Sequence, residues 1–586
     1  MTSPPPPMPT GALARRFDQM FPVLPAAEIE RVRRFGELRR FQPGELLCRV
    51  GKPSPGMYVI LSGRLSVVSR DPLGRSLPIA EFAQHIGGTP EEMEILPGEF
   101  VADLGTLTDK PSALDVQALE EVAAIVVPPD QLRALLIEEA ELGERILRAL
   151  LLRHVAMIEM GFGGPVLIGA LRSPEVTKLS AFLGRNGTPF RVVDPEEDAD
   201  ASSLVARYAL ADLPLVVMPD GMVLRKPTKQ ELARALGLVA TTLRSDPYDV
   251  AIVGAGPAGL GTAVYGASEG LSILVLEAMT FGGQAGASAR IENYLGFPSG
   301  VSGQALMGRA FAQAQKFGAQ FSLSTEVKHL DCTSESSGPD PVHLLHLADG
   351  RWVRARAVVV ATGARYRRPE IPNLPAFEGR GVSYWASPAE ARLCRDEDVA
   401  LIGGGNSAGQ AAVFLSSHAR QVSMLVRGPS LSDTMSRYLI DRIGASSNIA
   451  VLCETEIVQL LGAPDQGLHH VRWRNRRTRA EEEHAVSHLF VFTGADPAAS
   501  WLEGCGVLLD GKGFVRTGAD VGSTGRPLLP METSVEGIFA VGDVRSGSVK
   551  RVGAAIGEGA AVVAQLHSFL ARRGAAAARS QRAEAH

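Results

Sequence analysis

Several features that would fix a function class at once are scarce in this chain. Its 586 residues include five cysteines, with no C-x-x-C spacing among them, which argues against a disulfide framework and a zinc site: Cys48, Cys332, Cys394, Cys453 and Cys505. The 59 basic and 64 acidic side chains nearly balance, so the basic surface of a nucleic-acid-binding protein is missing. Apolar runs fall short of the roughly 18 residues that cross a bilayer. We therefore expect a cytoplasmic protein with no nucleic-acid partner and no membrane span.

The length of the chain and the changes in composition along it indicate several domains. At roughly 150 residues per domain, 586 residues correspond to about four. We expect the proline-rich start MTSPPPPMPT to be part of a disordered leader over residues 1–16, and the alanine-rich stretch 571–586 to be a disordered tail. Between them the pattern predicts domains at 17–160 and 165–240, then a domain formed by 247–365 with 491–570, and one inserted into it at 366–490.

The first domain is predicted to be an all-β roll closed by a helix. Short apolar runs end repeatedly in turn glycines, a pattern typical of β-rolls and barrels: Gly44, Gly51, Gly56 and Gly63. From Asp130 the apolar period changes to 3.6, which places a stripe from Leu132 to Leu151 on one helix. This apolar stripe must be buried against another surface, and we interpret it as an indication of a homodimer.

This β-roll resembles the cyclic-nucleotide-binding domain, most specifically from Gly44 to Gly63. The resemblance places an effector pocket at Asp103, Leu104, Ser112 and Ala113. Ala102, Asp103 and Ser112 stand where the family has glycine, glutamate and a phosphate-neutralising arginine, and serine cannot supply a bidentate charged contact. The sequence therefore leaves the identity of the ligand undecided among cAMP, cGMP and another small molecule. The alternative is that the domain binds no ligand and serves in dimerisation or in inhibiting a neighbouring domain.

The second domain alternates strands and helices, which predicts a small α/β unit. The strands are expected at Pro165–Gly169, Pro189–Asp194 and Leu213–Val217. The segment resembles a thioredoxin or glutaredoxin fold, with Pro214 in the position of that family's cis-proline. Its first helix opens with Arg172-Ser173-Pro174 where the redox C-x-x-C belongs. Without a thiolate there is no disulfide exchange, so a docking or spacer role is expected.

A dinucleotide site is predicted directly after Tyr248. The strand Asp249–Val253 runs into a G-x-G-x-x-G turn that opens a helix, Gly254-Ala255-Gly256-Pro257-Ala258-Gly259. These glycines allow a tight turn and a close approach of the backbone to a pyrophosphate at the helix N-terminus. A second strand ends in Glu277, 18 positions beyond Gly259, where a carboxylate can accept a hydrogen bond from a ribose hydroxyl.

A second dinucleotide site is predicted after Val399–Ile402. The turn is G-x-G-x-x-A, with Gly403, Gly405, Asn406, Ser407 and Ala408 as its candidate contacts. Its second strand ends in Arg427 instead of an acid, and an arginine there accommodates a 2′-phosphate, which favours NADPH over NADH. Arg437 is a further candidate, with a plain surface arginine as the alternative.

Four further segments, together with both glycine turns, resemble thioredoxin reductase over about residues 247 to 570: Gly282-Gly283-Gln284, Ile291–Tyr294, Ala361–Ala364 and Gly537–Asp543. The resemblance implies a multidomain fold with two Rossmann-like domains behind the β-roll and the small α/β domain. It implies FAD contacts from the first turn and Glu277, and from Gly283, Gln284, Asn293, Thr362, Gly363, Gly542, Asp543, Arg551 and Val552.

The family's redox motif is missing. Thioredoxin reductases carry C-A-T-C and an Asp before the NADPH turn, whereas this chain has Trp385-Ala386-Ser387-Pro388-Ala389. Trp385, in the place of a redox cysteine, is a candidate for stacking on a flavin ring, with ordinary packing as the alternative. Cys394 lies beyond that turn without a partner in sequence, and we interpret it as a buried apolar residue.

These features predict an NADPH-dependent flavoprotein oxidoreductase that is not a thioredoxin-disulfide reductase. Its electron acceptor is expected to be oxygen, a quinone or an electron-transfer protein such as ferredoxin. The ferredoxin option is weakened because the tail after Leu570 has no aromatic residue. The alternatives are a flavin-containing sensor or scaffold with little turnover, and a disulfide reductase that uses scattered cysteines.

Overall fold

The computed structural model describes residues 16–584 apart from 78–92, 109–110, 172, 241–242, 333–341, 387, 464–466 and 524. The predicted leader 1–16 therefore lies outside the described residues except for Arg16. The chain forms two compact units, Met1–Thr241 with Gln315–Gly318, and Thr242–Ala314 with Ala319–His586.

The first unit begins with an antiparallel β-roll of two sheets. One sheet has the strand order Glu37–Phe41, Val122–Val127, Met57–Ser62 and Phe100–Val101. In the other, Leu65–Arg70 is central and the strands are Leu46–Cys48, Asp115–Ala118, Leu65–Arg70, Ser76–Leu77 and Met93–Ile95. Short helices are found at Phe17–Met20, Ala26–Val32, Arg33–Phe35 and Leu104–Thr108. The glycine-punctuated pattern thus predicted the type of this domain correctly.

The apolar stripe after Asp130 lies on two helices, Pro129–Glu138 and Ala140–Met160, and the expectation of one helix was wrong. The break is Glu139, which has φ −106° and ψ 83° and whose carboxylate forms ion pairs with Arg31 and Arg34. The stripe packs against the β-roll, where its leucines are 0–1% exposed at Leu132, Leu135, Leu136 and Leu150. Its packing is therefore satisfied within the chain, and the homodimer stays a prediction without this support.

The small α/β domain has one four-stranded sheet. Its strand order is Arg191–Val193, Val166–Ile168, Leu215–Val217 and Val223–Arg225, with the first pair parallel and the others antiparallel. Its helices are Pro174–Arg185, Ala199–Val205, Leu210–Asp212 and Lys229–Ala235. The last strand was not predicted; it pairs through a tight turn at Gly221, where φ is +86°. The Leu213–Pro214 peptide bond is cis, as expected.

Ion pairs join the β-roll to the small α/β domain within the first unit. Arg75, in the turn before strand Ser76–Leu77, forms ion pairs with both Asp198 and Asp200. Arg191 donates from Nη2 to Asp71 Oδ2 at 2.9 Å. Each of the two domains thus contributes both an arginine and a carboxylate to these ion pairs.

The second unit contains a seven-stranded sheet built around parallel strands. Its order is Gln320–Ser322, Ile273–Leu276, Tyr248–Val253, Trp352–Val360, His343–Leu347 and Val327–Asp331, and Ile538–Ala540 also pairs with Trp352–Val360. The helices around it are Pro257–Ser268, Gly283–Gly286, Gly303–Lys316 and Val552–Glu584, with short turns at Ser500–Leu502, Gly518–Val521 and Gly542–Val544. This sheet carries the first glycine turn.

A second parallel sheet carries the second glycine turn. Its order is Val382–Ser383, His488–Val491, Asp398–Ile402, Gln421–Leu425 and Ile449–Leu452. Its helices are Leu374–Phe377, Pro388–Leu393, Asn406–Ser416 and Arg437–Ala445, and an antiparallel sheet follows at Thr455–Ala463, Gly467–Asn475 and Glu481–Ala485. The chain enters and leaves this region through one antiparallel pair, Ala364–Tyr366 with Ala495–Pro497.

The last helix runs from Val552 to Glu584, so the expected disordered tail is helical over 571–584. Alanine has the highest helix propensity, which explains why an alanine-rich stretch continues the helix. The helix packs closely on Pro257–Ser268, because a Cβ on Gly559 would lie 2.3 Å from Ala258 O. By length and apolar composition alone, Val552–Arg573 could also cross a membrane, but a helix packed in a protein core has the same length and composition, and 33% of its most apolar stretch is buried in the structure.

Candidate functional site

The first glycine turn has the geometry that its sequence predicts. Gly254 has φ +111°, and a Cβ there would lie 2.3 Å from Ala361 O. A Cβ on Gly259 would lie 1.9 Å from Gly254 O. Gly256 differs, since its φ is −76° and the nearest atom to an added Cβ is 3.9 Å away. Close backbone packing within the chain therefore requires glycine at positions 254 and 259. Gly256, in contrast, leaves open space at the start of helix Pro257–Ser268.

Glu277 is fixed next to this turn. Its Oε2 accepts the Ala255 N–H at 2.9 Å, and its Oε1 accepts the Met279 N–H at 2.8 Å. The carboxylate therefore lies at the end of strand Ile273–Leu276 with its orientation set by two backbone donors. A carboxylate in this position can accept a hydrogen bond from a ribose hydroxyl.

Several of the predicted FAD residues converge on the same turn. A Cβ on Gly283 would lie 3.1 Å from Gly256 Cα, and one on Gly542 would lie 2.8 Å from Ala258 Cβ. Gln284 donates from Nε2 to Ala364 O, next to Gly363. Thr362 is held by its hydroxyl, which donates to Ala498 O at 2.7 Å. Asn293 and Arg551 are exposed, and Val552 begins the last helix.

Asp543 lies in the turn Gly542–Val544 before the last helix. Burial raises the pKa of Asp543, and the nearby Lys550 ammonium opposes that rise. Lys550 donates from Nζ to Asp543 O at 2.7 Å and lies 4.5 Å from the centroid of the Phe514 ring. A carboxyl and an ammonium group thus occur together at the N-terminal end of helix Val552–Glu584.

The second glycine turn has the same form. Gly403 has φ +145°, and a Cβ there would lie 2.6 Å from Phe492 O. Gly405 precedes helix Asn406–Ser416, and an added Cβ would be 4.0 Å from its nearest atom. Asn406 Oδ1 accepts the Ser436 N–H at 2.7 Å, which joins the turn to the next helix. Space is therefore again left at a helix N-terminus that follows a parallel strand.

Positive charge collects at the end of the second strand of this sheet. Arg427 is exposed and follows Gln421–Leu425 closely, and its carbonyl accepts from Arg476 Nη1 at 3.1 Å. The charges of Arg474, Arg476 and Arg427 all lower the pKa of Glu456, with the Arg474 hydrogen bond as the largest cause. Three guanidinium groups thus surround one carboxylate.

The contact between Arg476 and Arg427 was not predicted from the sequence. The dense arginine run from Arg472 to Arg479 was an available signal, but its distance along the chain from Arg427 concealed the contact. Arg437, the other candidate, is 86% exposed and pairs with Asp441 one helical turn away.

The segment in the place of a redox motif carries hydrogen-bonded aromatic residues. Trp385 donates its indole N–H to Glu390 Oε1 at 3.0 Å, and Tyr384 donates its hydroxyl to Glu378 Oε1 at 2.7 Å. Cys394 is 0% exposed, and burial raises the pKa of its thiol to about 12. A thiol in that state is not a nucleophile at neutral pH. Ser387 lies outside the described residues.

The candidate effector residues of the β-roll bond to their own neighbours. Asp103 Oδ1 accepts the Thr106 N–H at 2.9 Å, and the Ser112 hydroxyl donates to Leu114 O at 2.9 Å. Asp103 and Ser112 line a small cavity, while Leu104 packs against the core and Ala113 packs against Met157 and Phe162. Within the described part of the chain, no cluster of histidine, cysteine and acidic residues has the arrangement of a metal site.

Comparisons with known proteins identify two regions. The model of the cyclic nucleotide-binding domain matches residues 38–139, and that of the pyridine nucleotide-disulphide oxidoreductases matches residues 248–559. Thioredoxin reductases from Streptomyces coelicolor and Peptoclostridium litorale are both 33% identical over 329 residues, covering 56% and 55% of this chain and 95% and 97% of those proteins. The crystal structure of Lactococcus lactis thioredoxin reductase (FR conformation) aligns at a TM-score of 0.50 and 27% identity, covering 56% of this chain and 99% of that one. The predicted fold class is confirmed: a β-rich cyclic-nucleotide-binding domain precedes dinucleotide-binding α/β domains of thioredoxin-reductase type.

Proposed function

Because the chain belongs to the pyridine nucleotide-disulphide oxidoreductase family, we propose that it is an NADPH-dependent flavoprotein oxidoreductase whose electrons leave for a non-disulfide acceptor. The acceptor is oxygen, a quinone or an electron-transfer protein. The FAD domain comprises 247–365 and 491–570, the NADPH domain comprises 366–490, and the N-terminal domains 17–160 and 165–240 regulate or dock.

The residues of the first site fit FAD, a cofactor that the thioredoxin-reductase family implies. Gly256 leaves room for a pyrophosphate at the helix N-terminus, and Glu277 presents a carboxylate to the adenosine ribose. Asp543 is the candidate for the ribityl chain, with Gly283, Thr362 and their neighbours beside it. When bound, the flavin supplies a two-electron acceptor for hydride. The chain positions it and supplies the charge of Lys550 near the last helix.

The second site fits NADPH better than NADH. Gly405 leaves room for the pyrophosphate, and the exposed Arg427 offers a positive group where a 2′-phosphate would lie. Arg476 lies beside it and is paired with Glu456. No acidic residue ends the second strand, where an NADH-specific site would hold a ribose diol.

The observation that carries the proposal is the combination of two open glycine turns with Trp385 in the place of a redox thiol. Cys394, the nearest cysteine in sequence, is completely buried and protonated at neutral pH. Hydride delivery to the flavin needs both turns but no thiol, whereas thioredoxin reduction needs a dithiol. We therefore expect no NADPH-dependent reduction of thioredoxin, and unchanged NADPH oxidation in Cys394→Ser.

The proposal is tested by anaerobic titration of the flavin-loaded protein with NADPH, followed by air. One equivalent of NADPH should bleach the flavin absorbance. Rapid recovery in air with one peroxide per NADPH would identify oxygen as acceptor, according to NADPH + H⁺ + O₂ → NADP⁺ + H₂O₂. Slow recovery would direct the search to quinones and carrier proteins.

Two outcomes would overturn this proposal. A flavin that is not bleached by NADPH would favour the sensor or scaffold. Steady NADPH-dependent reduction of thioredoxin, whether or not Cys394→Ser abolishes it, would restore a disulfide reductase.

A further inference from the structure

The short turn Gly542–Val544 is packed between the first glycine turn and the last helix. Gly542 is buried, with φ +72°, and a Cβ there would lie 2.8 Å from Ala258 Cβ, in the first turn of helix Pro257–Ser268. The position of this turn therefore decides where Asp543, the candidate for the ribityl chain, lies relative to the N-terminus of that helix.

Glu558, in the second turn of the last helix, is bonded to this turn and to the residue that follows it. Its Oε2 accepts the Gly542 N–H at 2.6 Å and Arg545 Nε at 3.2 Å, and its Oε1 accepts from Arg545 Nη2 at 2.6 Å. The side chains of Arg545 and Glu558 are 20% and 14% exposed. A largely buried, bidentate ion pair thus joins the last helix to the turn.

Both ends of this contact are fixed within the chain. On the side of the turn, Arg545 donates its backbone N–H to Gly542 O at 3.0 Å. On the side of the helix, Gly559 packs so closely on the helix of the first site that an added Cβ would lie 2.3 Å from Ala258 O. Glu558 therefore couples the turn to a helix whose position against the first site is set by close backbone packing.

A carboxylate serves this position better than a neutral acceptor would. Gly542 is buried, and a buried N–H without a partner costs free energy. The charge of Glu558 adds the bonds from Arg545, and bidentate arginine–carboxylate bonds are stronger and more directional than neutral ones. Burial raises the pKa of Asp543, the Lys550 ammonium opposes the rise and the Glu558 charge adds to it. Glu558 therefore lies near a candidate flavin contact, while its own oxygens are bonded within the chain.

We propose that Glu558, held by Arg545, is a positioning residue for the flavin, which it retains by fixing the turn Gly542–Val544 against the helix of the first glycine turn. Because both carboxylate oxygens are bonded to the chain, Glu558 acts through the turn and not by contact with the cofactor. Loss of the ion pair should therefore speed flavin release without unfolding the domain. This inference rests on the proposed FAD site and is independent of the electron acceptor.

Glu558→Gln tests this role in the flavin-loaded full chain. Glutamine keeps an oxygen that can accept the Gly542 N–H but loses the charge that binds Arg545. After dilution into flavin-free buffer, the rise of free FAD fluorescence measures the rate of release, which should increase at least about ten-fold.

Glu269→Gln is the matched control. Glu269 Oε2 lies 2.9 Å from His567 Nε2, so this pair joins the same two helices at the opposite end of helix Pro257–Ser268. Because the pair is exposed and far from the turn, its loss should keep flavin release within about two-fold of the wild-type rate.

A second variant and a stability measurement separate positioning from a general loosening of the fold. Arg545→Gln should speed release to a similar extent, and it carries the test if Glu558→Gln does not fold. The double variant should release flavin no faster than the faster single variant, because both changes break one interaction. Circular dichroism checks that each variant is folded at the temperature of the release measurement.

Three results would each overturn the proposal: a wild-type release rate in folded Glu558→Gln, additive effects in the double variant, or release that only accompanies unfolding. A wild-type chain that takes up no FAD would overturn the proposed flavin site, and this inference with it.

Discussion

The thiols of Cys332 and Cys505 are hydrogen-bonded to each other although the residues lie 173 positions apart. Cys332 follows strand Val327–Asp331, Cys505 follows the turn Ser500–Leu502, and both pack against the core of the seven-stranded sheet. Cys505 also donates to Leu502 O at 3.0 Å. The hydrogen bond between the two thiols lowers the pKa of Cys505 and raises that of Cys332. Cys505 is therefore the thiol of the pair that ionises more readily.

This pair predicts a pH-dependent alkylation pattern. The rate of Cys505 modification by iodoacetamide should reach half its maximum below the value of about 8.5 that is typical of a free thiol. Cys332→Ala removes the donor and should move that midpoint upward, whereas Cys453→Ser, at a cysteine that follows strand Ile449–Leu452 of the other parallel sheet, should leave it unchanged. Peptide mass spectrometry across pH measures the rates. A wild-type midpoint at or above the free-thiol value would contradict the assignment.

Gly256 provides a test of the flavin site that spares the fold. Its φ of −76° and 3.9 Å of clearance allow a side chain without backbone strain, so Gly256→Leu should fold but block the approach of a pyrophosphate. We expect purified Gly256→Leu to lose at least about nine-tenths of its flavin absorbance, which corresponds to a ten-fold or larger loss in affinity.

Gly308→Ala, in helix Gly303–Lys316 with no atom within 4 Å of an added Cβ, is the control and should remain yellow. Circular dichroism checks that both variants are folded. Full flavin retention in folded Gly256→Leu would place the pyrophosphate elsewhere.

Arg427 should decide coenzyme preference. Arg427→Ala should raise KM for NADPH about ten- to hundred-fold, in line with the loss of a charged hydrogen bond, and leave KM for NADH nearly unchanged. Arg420→Ala is a matched control, since Arg420 is exposed and pairs with Asp398 at the start of strand Asp398–Ile402 of the same sheet. Steady-state kinetics with both coenzymes measure the effect, and equal changes for NADPH and NADH would contradict this role.

The ion pair of Arg75 with Asp198 should stabilise the first unit above acid pH. Its hydrogen bonds lower the pKa of Asp198 from 3.8 to about 2, and the Asp198 side chain is 7% exposed. A depressed carboxyl pKa contributes stability above the unfolded-state value, and this stability is lost as pH falls toward the folded value. Asp198→Asn should thus lower the free energy of unfolding by about 2 kcal/mol at pH 7.

Denaturant unfolding at pH 7 and near pH 2.5 measures this difference, which should shrink at the lower pH. Arg40→Gln is the control, because Arg40 and Glu121 form an exposed pair that is expected to contribute little. A deficit in Asp198→Asn that stays constant across this pH range would rule out the electrostatic explanation.

Local sequence signals predicted the geometry of those parts of the candidate site that depend on fixed spacing. Gly254 and Gly403 were identified because each turn joins a buried strand to a helix, and only glycine tolerates the positive φ found at both. Glu277 and Arg427 follow from the length of the same motif. These features are set within about thirty residues of chain, so short-range patterns suffice.

Contacts between distant segments were not predictable in this way. Arg153 meets Met20 and Phe100, and Arg75 meets Asp198, because tertiary packing brings separate elements together. The helix break at Glu139 has the same origin, since its partners Arg31 and Arg34 precede the roll. The apolar periodicity of the sequence, taken alone, predicts one helix that continues through Glu139.

The order of the strands in the seven-stranded sheet has a consequence for how the chain folds. Ile538 pairs with Val358, 180 positions earlier in the chain, so this part of the sheet closes a long loop. Loop closure over such a length costs conformational entropy and slows folding. The pairing of Ala364 with Pro497 brings both ends of the insertion together and leaves a much shorter path to close. If the inserted domain folds first, only a short loop remains to be closed before strand Ile538–Ala540 pairs with Trp352–Val360.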